Sequence, residues 1–121
     1  MTTAAQRNAM GVYGEDLAAR HLVADGMVVL DRNWRCPEGE LDLVLRDGPV
    51  VVVCEVKTRR DAAFGSPLEA VTGAKLCRLR RLAARWLREH QVSATEVRID
   101  LVGIDLSLPV AERLDHVRGV G

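Results

Sequence analysis

Two segments of the chain repeat their apolar residues at helical spacing. In "NAMGVYGEDLAARHLVADG", Val12, Leu17, Ala18 and Leu22 form a loose stripe, and Gly26 after Asp25 supplies a C-terminal stop. From Leu68 to His90, residues Leu68, Val71, Leu76, Leu79, Leu82, Ala83 and Trp86 recur every three or four positions, which predicts a long amphipathic helix. The remaining apolar residues follow strand patterns. "MVVLDRNWR" reads as a first strand, "ELDLVL" alternates polar and apolar positions, and "VVVVCEVKTRR" (Val50 to Arg60) reads as a core strand. "EVRIDLVGIDL" alternates around Arg98 and Asp100, and the tail "RLDHVRGVG" predicts a short edge strand. "CPEG" and "RDGP" punctuate the first three strands as turns. The order is helix, three strands, long helix, strand and edge strand, which predicts an α/β fold with a sheet flanked by helices.

The valine strand poses a chemical question. Glu55 and Lys57 lie two apart and share one face of it. Burying either charge is costly unless it is paired or bound to a metal. The "RDGP" turn brings further acids to the same place. A two-residue loop of Asp47-Gly48 and a four-residue loop from Arg46 to Pro49 give the same register. Pro49 has no N–H to close the tighter loop, which favours the longer one. Either way Asp42 falls opposite Val53 and Glu40 opposite Glu55. Diagonal neighbours lie within about 7–8 Å, so Glu40, Asp42, Glu55 and Lys57 are expected to cluster on one face. A three-residue loop or a bulge would break this parity. Three carboxylates so placed repel and raise one another's pKa values, and a hard divalent cation relieves that repulsion. The alternative is a solvent-facing ladder that leaves Glu55 and Lys57 exposed.

Composition narrows the remaining choices. The 121 residues suit one domain, 1–121, around one core. Aromatics make up only 3% of the chain, so Val, Leu and Ala must build that core. No apolar run approaches a membrane span, and "MTTAAQRNAM" lacks the apolar stretch of a secretory signal, which predicts a cytoplasmic protein with no membrane partner. Cys36, Cys54 and Cys77 form no zinc pattern and read as reduced thiols, with Cys54 and Cys77 expected in the core. Trp34 and Trp86 are also expected there. Formal net charge is zero, but residues 54–90 hold nine Lys or Arg against four Asp or Glu. This basic middle points to a polyanionic partner, with Arg59, Arg60, Lys75, Arg78, Arg81 and Arg85 as the phosphate-gripping candidates. His21, His90 and His116 are scattered. Ser66 lacks a nucleophile-elbow context, and "GAK" at 73–75 lacks phosphate-loop spacing.

"GELDLV" followed by "VVVCEVKTR" resembles the signature of the PD-(D/E)xK nuclease superfamily. More narrowly, the chain resembles the small bacterial YraN-like proteins, an endonuclease-like family related to archaeal Holliday-junction resolvases. "GEDLAARHL", "RNWR", "FGSPLEAVTGAK" and "RIDLV" extend the resemblance over nearly the whole chain, although the "HVRGVG" tail lacks the expected aromatic residue. The resemblance implies a restriction-endonuclease-like core, a mixed central β-sheet flanked by helices. It implies Asp42 and Glu55 as the main metal ligands, Glu15 on the first helix as an accessory acid near the metal, and Lys57 as the residue that orients or activates water. Glu40 matches the family's "GE" without an assigned role. The cofactor implied is Mg²⁺, with Mn²⁺ as a substitute. The reaction implied is hydrolysis of DNA phosphodiester bonds, with branched or processed DNA as substrate. Related resolvases act as dimers, so the resemblance admits a homodimer, though no patterning marks a dimer face. The other readings are a nucleic-acid-binding module that keeps the fold without cleaving, and a protein-interaction scaffold.

Overall fold

The computed structural model describes residues 4–60 and 71–120. Helix α1 spans Ala4–Ala24 and is followed by strands β1 (Val28–Cys36), β2 (Gly39–Asp47) and β3 (Val50–Arg59). Helix α2 (Gly73–His90), β4 (Glu96–Asp105), a 3₁₀ turn (Val110–Glu112) and β5 (Leu114–Val117) complete the order. The five strands form one sheet in sequence order. β1–β2, β2–β3 and β4–β5 pair antiparallel, while β3 and β4 run parallel. A parallel pair needs a long crossover, and the connection carrying α2 supplies it. The fold is therefore α/β, a mixed sheet with a helix on each face, consistent with a restriction-endonuclease-like core. Among the described residues, no helix is long and apolar enough to cross a membrane.

Each face of the sheet carries its own apolar cluster. Val51, Val53, Ile99 and Leu101 pack with Leu79, Leu82, Ala83 and Trp86 of α2. Val52, Cys54, Val102 and Ile104 pack with Ala18, Ala19 and Leu22 of α1. Successive residues of β3 and β4 thus alternate between the helices, as the pleat requires. Both faces of the central strands are buried, which is why β3 reads as a continuous valine run.

Several expectations shift. Val12 is 58% exposed, so the inner stripe of α1 consists of Ala18, Ala19 and Leu22 with Tyr13 and Leu17 at its border. α1 also starts before the segment that marked it. Its stop is as expected: Gly26 adopts φ +98°, and Met27 N–H donates to the Leu22 carbonyl at 3.1 Å. α2 starts at Gly73, because Thr72 in extended conformation caps it by accepting from the Lys75 N–H at 3.2 Å. Leu68, with Ser66 and the rest of "FGSPLEA", lies outside the described residues. Cys77 is exposed and only Cys54 is buried, since Cys77 sits on the outer side of α2. Trp86 is buried and Trp34 packs at the edge of the same cluster.

The β2–β3 hairpin turns differently from the expectation. Asp47 pairs with Val50, so the loop is Gly48-Pro49. Gly48 takes φ +59°, the sign that a two-residue hairpin demands at its first loop position. Pro49 occupies the second, where its missing N–H costs nothing. Its carbonyl accepts from Thr95 N–H (3.3 Å) and Thr95 Oγ1 (3.1 Å), which moors the turn beside the start of β4. Val44 therefore faces Val53, and the register differs by two residues from that expected. A shift of two preserves which side chains share a face.

Candidate active site

The Cα ladder between β2 and β3 runs from Asp47–Val50 to Leu43–Cys54. Beyond it the strands part. Continuing the same register sets Asp42 against Glu55, in place of the expected Glu40–Glu55 and Asp42–Val53 pairs. The cause lies in β1 and β2. Leu41 and Val44 both belong to the α2 cluster, while Leu43 and Leu45 belong to the α1 cluster. Strict alternation would put Leu41 with Leu43, so the strand changes face at Asp42. The same change occurs in β1. Asp31 bonds Trp86 of α2 and Arg32 bonds Asp16 of α1, yet Trp34 is back in the α2 cluster. Asn33 between them has φ +53°, a left-handed conformation that Asn tolerates better than bulkier residues. An Asn inside the strand was the one local hint of this irregularity.

The irregularity turns Asp42 toward the gap between the strands. Its Oδ2 accepts the Val56 backbone N–H at 2.9 Å, taking the place of a strand carbonyl. Burial pushes the Asp42 carboxyl up to about 7. The charges of Glu55, Glu15 and Glu40 act in the same direction, and the Val56 N–H opposes them. Glu55 continues the row of Val51 and Val53 on the α2 side, and its Oε1 accepts from Lys75 Nζ at 2.7 Å. Asp42, Glu55, Glu40, Lys75 and Arg78 line a cleft of about 270 Å³ beneath the first turns of α2. Gly39 closes its near end; a Cβ there would lie 3.3 Å from Leu82 Cδ1.

The structure places the other candidates as follows. Glu15 is half-buried on α1, close enough to Asp42 for its charge to count. Gly14 sets that approach: it is buried against β3, and a Cβ on it would collide with Thr58 Oγ1. Glu40 is exposed and pairs with Arg35 Nε at 3.2 Å. Lys57 is exposed one alternate position beyond Glu55, level with Gly103 of β4. Arg59 is half-buried at the end of β3, and Arg60 is exposed just past it. Arg78 and Arg81 are exposed on α2. Arg85 is tied to Glu89 (2.9 Å) and Glu38 (3.0 Å). Lys75 was expected only among the phosphate-gripping residues, yet it sits inside the acidic cleft. Its position on the helix could not reveal that pairing, because the packing of α2 over the sheet creates it.

A family model described as "Uncharacterised protein family UPF0102" matches residues 14–104, a span that contains all the acids of the cleft. The chain belongs to UPF0102. A UPF0102 protein of Nocardioides sp. is 59% identical over 118 residues, covering 98% of this chain and 95% of the relative. One from Beutenbergia cavernae is 59% identical over 115 residues (95% and 98% covered), and one from Streptomyces coelicolor is 58% identical over 116 residues (94% and 89% covered). The UPF0102 match spans α1 from Gly14, the diverging strands, α2 and nearly all of β4, so the elements that build the cleft all fall within the family's own boundaries.

Proposed function

We propose that this UPF0102 protein is a metal-dependent phosphodiester hydrolase acting on DNA, as the PD-(D/E)xK resemblance implies. The observation that carries this reading is the convergence of Asp42 and Glu55 where β2 and β3 part, with a carboxyl at about 7 that gains from a nearby cation. The donor set fits a hard divalent ion such as Mg²⁺ or Mn²⁺: two carboxylates facing one cleft, with Glu15 and Glu40 adding negative charge around them. Asp42 and Glu55 would hold the ion, with Glu15 as accessory acid. When bound, it would polarise a phosphoryl oxygen and make a water more acidic.

The chain's own residues supply the rest. The Val56 N–H fixes one Asp42 oxygen and leaves the other for the cleft. Lys57, on the same face of β3 as Glu55, would orient water or balance charge on the phosphoryl group. Arg78 presents a cation at the cleft for a neighbouring phosphate, and Arg81 is exposed further along α2. Arg85, neutralised by two glutamates, contributes less. A non-cleaving binding module is the second reading, and Lys75 favours it. Its ammonium already compensates Glu55 at 2.7 Å, so the cluster is partly neutralised from within the chain.

The test is cleavage of linear, flapped and four-way DNA with Mg²⁺ or Mn²⁺ by wild type, Asp42→Asn and Lys57→Ala. The hydrolase reading expects metal-dependent cleavage in wild type only, with both variants still folded and Lys57→Ala still binding the ion. DNA binding without cleavage on any substrate would establish the binding module instead.

A further inference from the structure

The opposite face of the sheet carries a second cluster of chemical groups, which the cleft does not use. Its anchor is Asp100 on β4, a fully buried carboxylate. Asp100 pairs with Cys54 in the parallel register, so it faces α1 and not α2. It accepts Arg98 Nε at 2.8 Å, Arg98 Nη2 at 3.1 Å and the Gly119 N–H at 3.0 Å. The same carboxylate lies 2.8 Å from His116 Nε2. A carboxylate held by three donors can only accept, so His116 Nε2 carries a hydrogen, and the neutral ring then has its lone pair on Nδ1.

His116 lies on β5 with its side chain only 8% exposed. Its ring meets that of His21 edge to face, with centroids 5.9 Å apart. His21 stands on the last turn of α1, and Asp25 follows four residues later on the same side. His21 Nε2 and Asp25 Oδ2 are 3.5 Å apart. Among the described residues, His21, Asp25 and His116 form the one group of three or more His, Cys, Asp or Glu residues whose ligand atoms all lie within 4.8 Å of one another.

We propose that His21, Asp25 and His116 form a second cation centre, for a borderline transition ion such as Zn²⁺ and not for Mg²⁺. Two imidazoles and one carboxylate suit Zn²⁺, whereas Mg²⁺ takes oxygen. His21 Nε2 and Asp25 Oδ2, 3.5 Å apart, already suit an ion at bond lengths of about 2.0–2.2 Å, and the His116 ligand atom, within 4.8 Å of both, has a short distance to close. The independent support is Asp100. A ligating histidine almost always donates its other N–H to a carboxylate or carbonyl, which fixes ring and tautomer. Here a buried carboxylate does so, and it is itself locked by Arg98, which also reaches Asp47 at 3.1 Å. Arg118 Nη2 stands 3.8 Å from Asp25 Oδ2 and is half-exposed, so it can swing away when an ion binds. Three protein ligands leave a fourth position for water. The ion would pin β5 and the chain end to the last turn of α1.

The experiment uses the full chain, stripped with a chelator and titrated with Zn²⁺ by calorimetry, with imidazole nitrogen and proton NMR as a second readout. Equimolar Zn²⁺ should shift the His21 and His116 resonances and leave His90 unmoved. Affinity should fall roughly tenfold or more in both His21→Gln and Asp25→Asn, whose side chains are exposed enough to spare the fold. Asp42→Asn and Glu55→Gln should leave this site's affinity unchanged, which separates it from the cleft. Equal Zn²⁺ affinity in wild type, His21→Gln and Asp25→Asn would overturn the proposal. So would a Zn²⁺ shift at His90 equal to those at His21 and His116, or no shift at either of the latter.

Discussion

Replacing Asp42 by Asn removes a charge that the fold tolerates poorly. The carboxyl rises from 3.8 to about 7, chiefly through burial and the charge of Glu55. A raised carboxyl makes the folded state the tighter proton binder. Stability from the protonated form is complete below pH 3.8, declines as pH rises, and is lost above about pH 7. At about 1.4 kcal/mol per unit the whole shift corresponds to roughly 4 kcal/mol, and water entering the cleft screens part of it, leaving about 2–4 kcal/mol. Asn keeps an oxygen for the Val56 N–H and never ionises. Asp42→Asn should therefore match wild type near pH 4 and exceed it by about 2–4 kcal/mol at pH 8. Urea unfolding of both proteins from pH 4 to 8.5, without divalent ions, measures the difference. Glu55→Gln should give a smaller gain at pH 8, since Glu55 is the second cause after burial. Mg²⁺ at pH 8 should stabilise wild type and leave Asp42→Asn unaffected. Parallel stability profiles across this pH range, or an Asp42→Asn protein weaker than wild type at pH 8, would refute the crowding argument.

Gly14→Ala should cost about 1–3 kcal/mol in chemical denaturation, because the new Cβ meets Thr58 Oγ1 and lies 3.1 Å from Thr58 Cβ; adding Thr58→Ala should recover part of that loss. Arg98→Met leaves the buried Asp100 with only His116 and Gly119 and should cost about 3 kcal/mol, partly restored by Asp100→Asn. If the protein binds DNA through α2, fluorescence anisotropy across a salt series should show Arg78→Ala and Arg81→Ala each lowering the slope of log K against log salt by about one. Arg85→Ala should leave that slope nearly unchanged, since Glu38 and Glu89 already neutralise the guanidinium.

The sequence by itself determined the elements and most of the candidate site. A period of two is a property of any strand, so Glu55 and Lys57 share a face whatever the strand pairs with. The hairpin loop is Gly48-Pro49 in place of the favoured four residues from Arg46 to Pro49, and the register differs by two. An even shift preserves the faces of residues 43–47, while the irregularity at Asp42 turns its carboxylate into the cleft that Glu55 also lines. Helical spacing likewise marked Leu79, Leu82, Ala83 and Trp86 as core before any partner was known. Tertiary structure alone decided what depends on contacts between distant segments. The change of face at Asp42 comes from the left-handed Asn33 on a neighbouring strand, which local alternation does not register. Lys75 joins the acids because α2 lies over that end of the sheet. His21 and His116 look scattered along the chain, and they meet only because β5 pairs with β4 on the side where α1 packs. A side chain's direction along its own element is fixed locally by backbone geometry. Which charges it meets is fixed by packing, through groups that the chain brings together only when it folds.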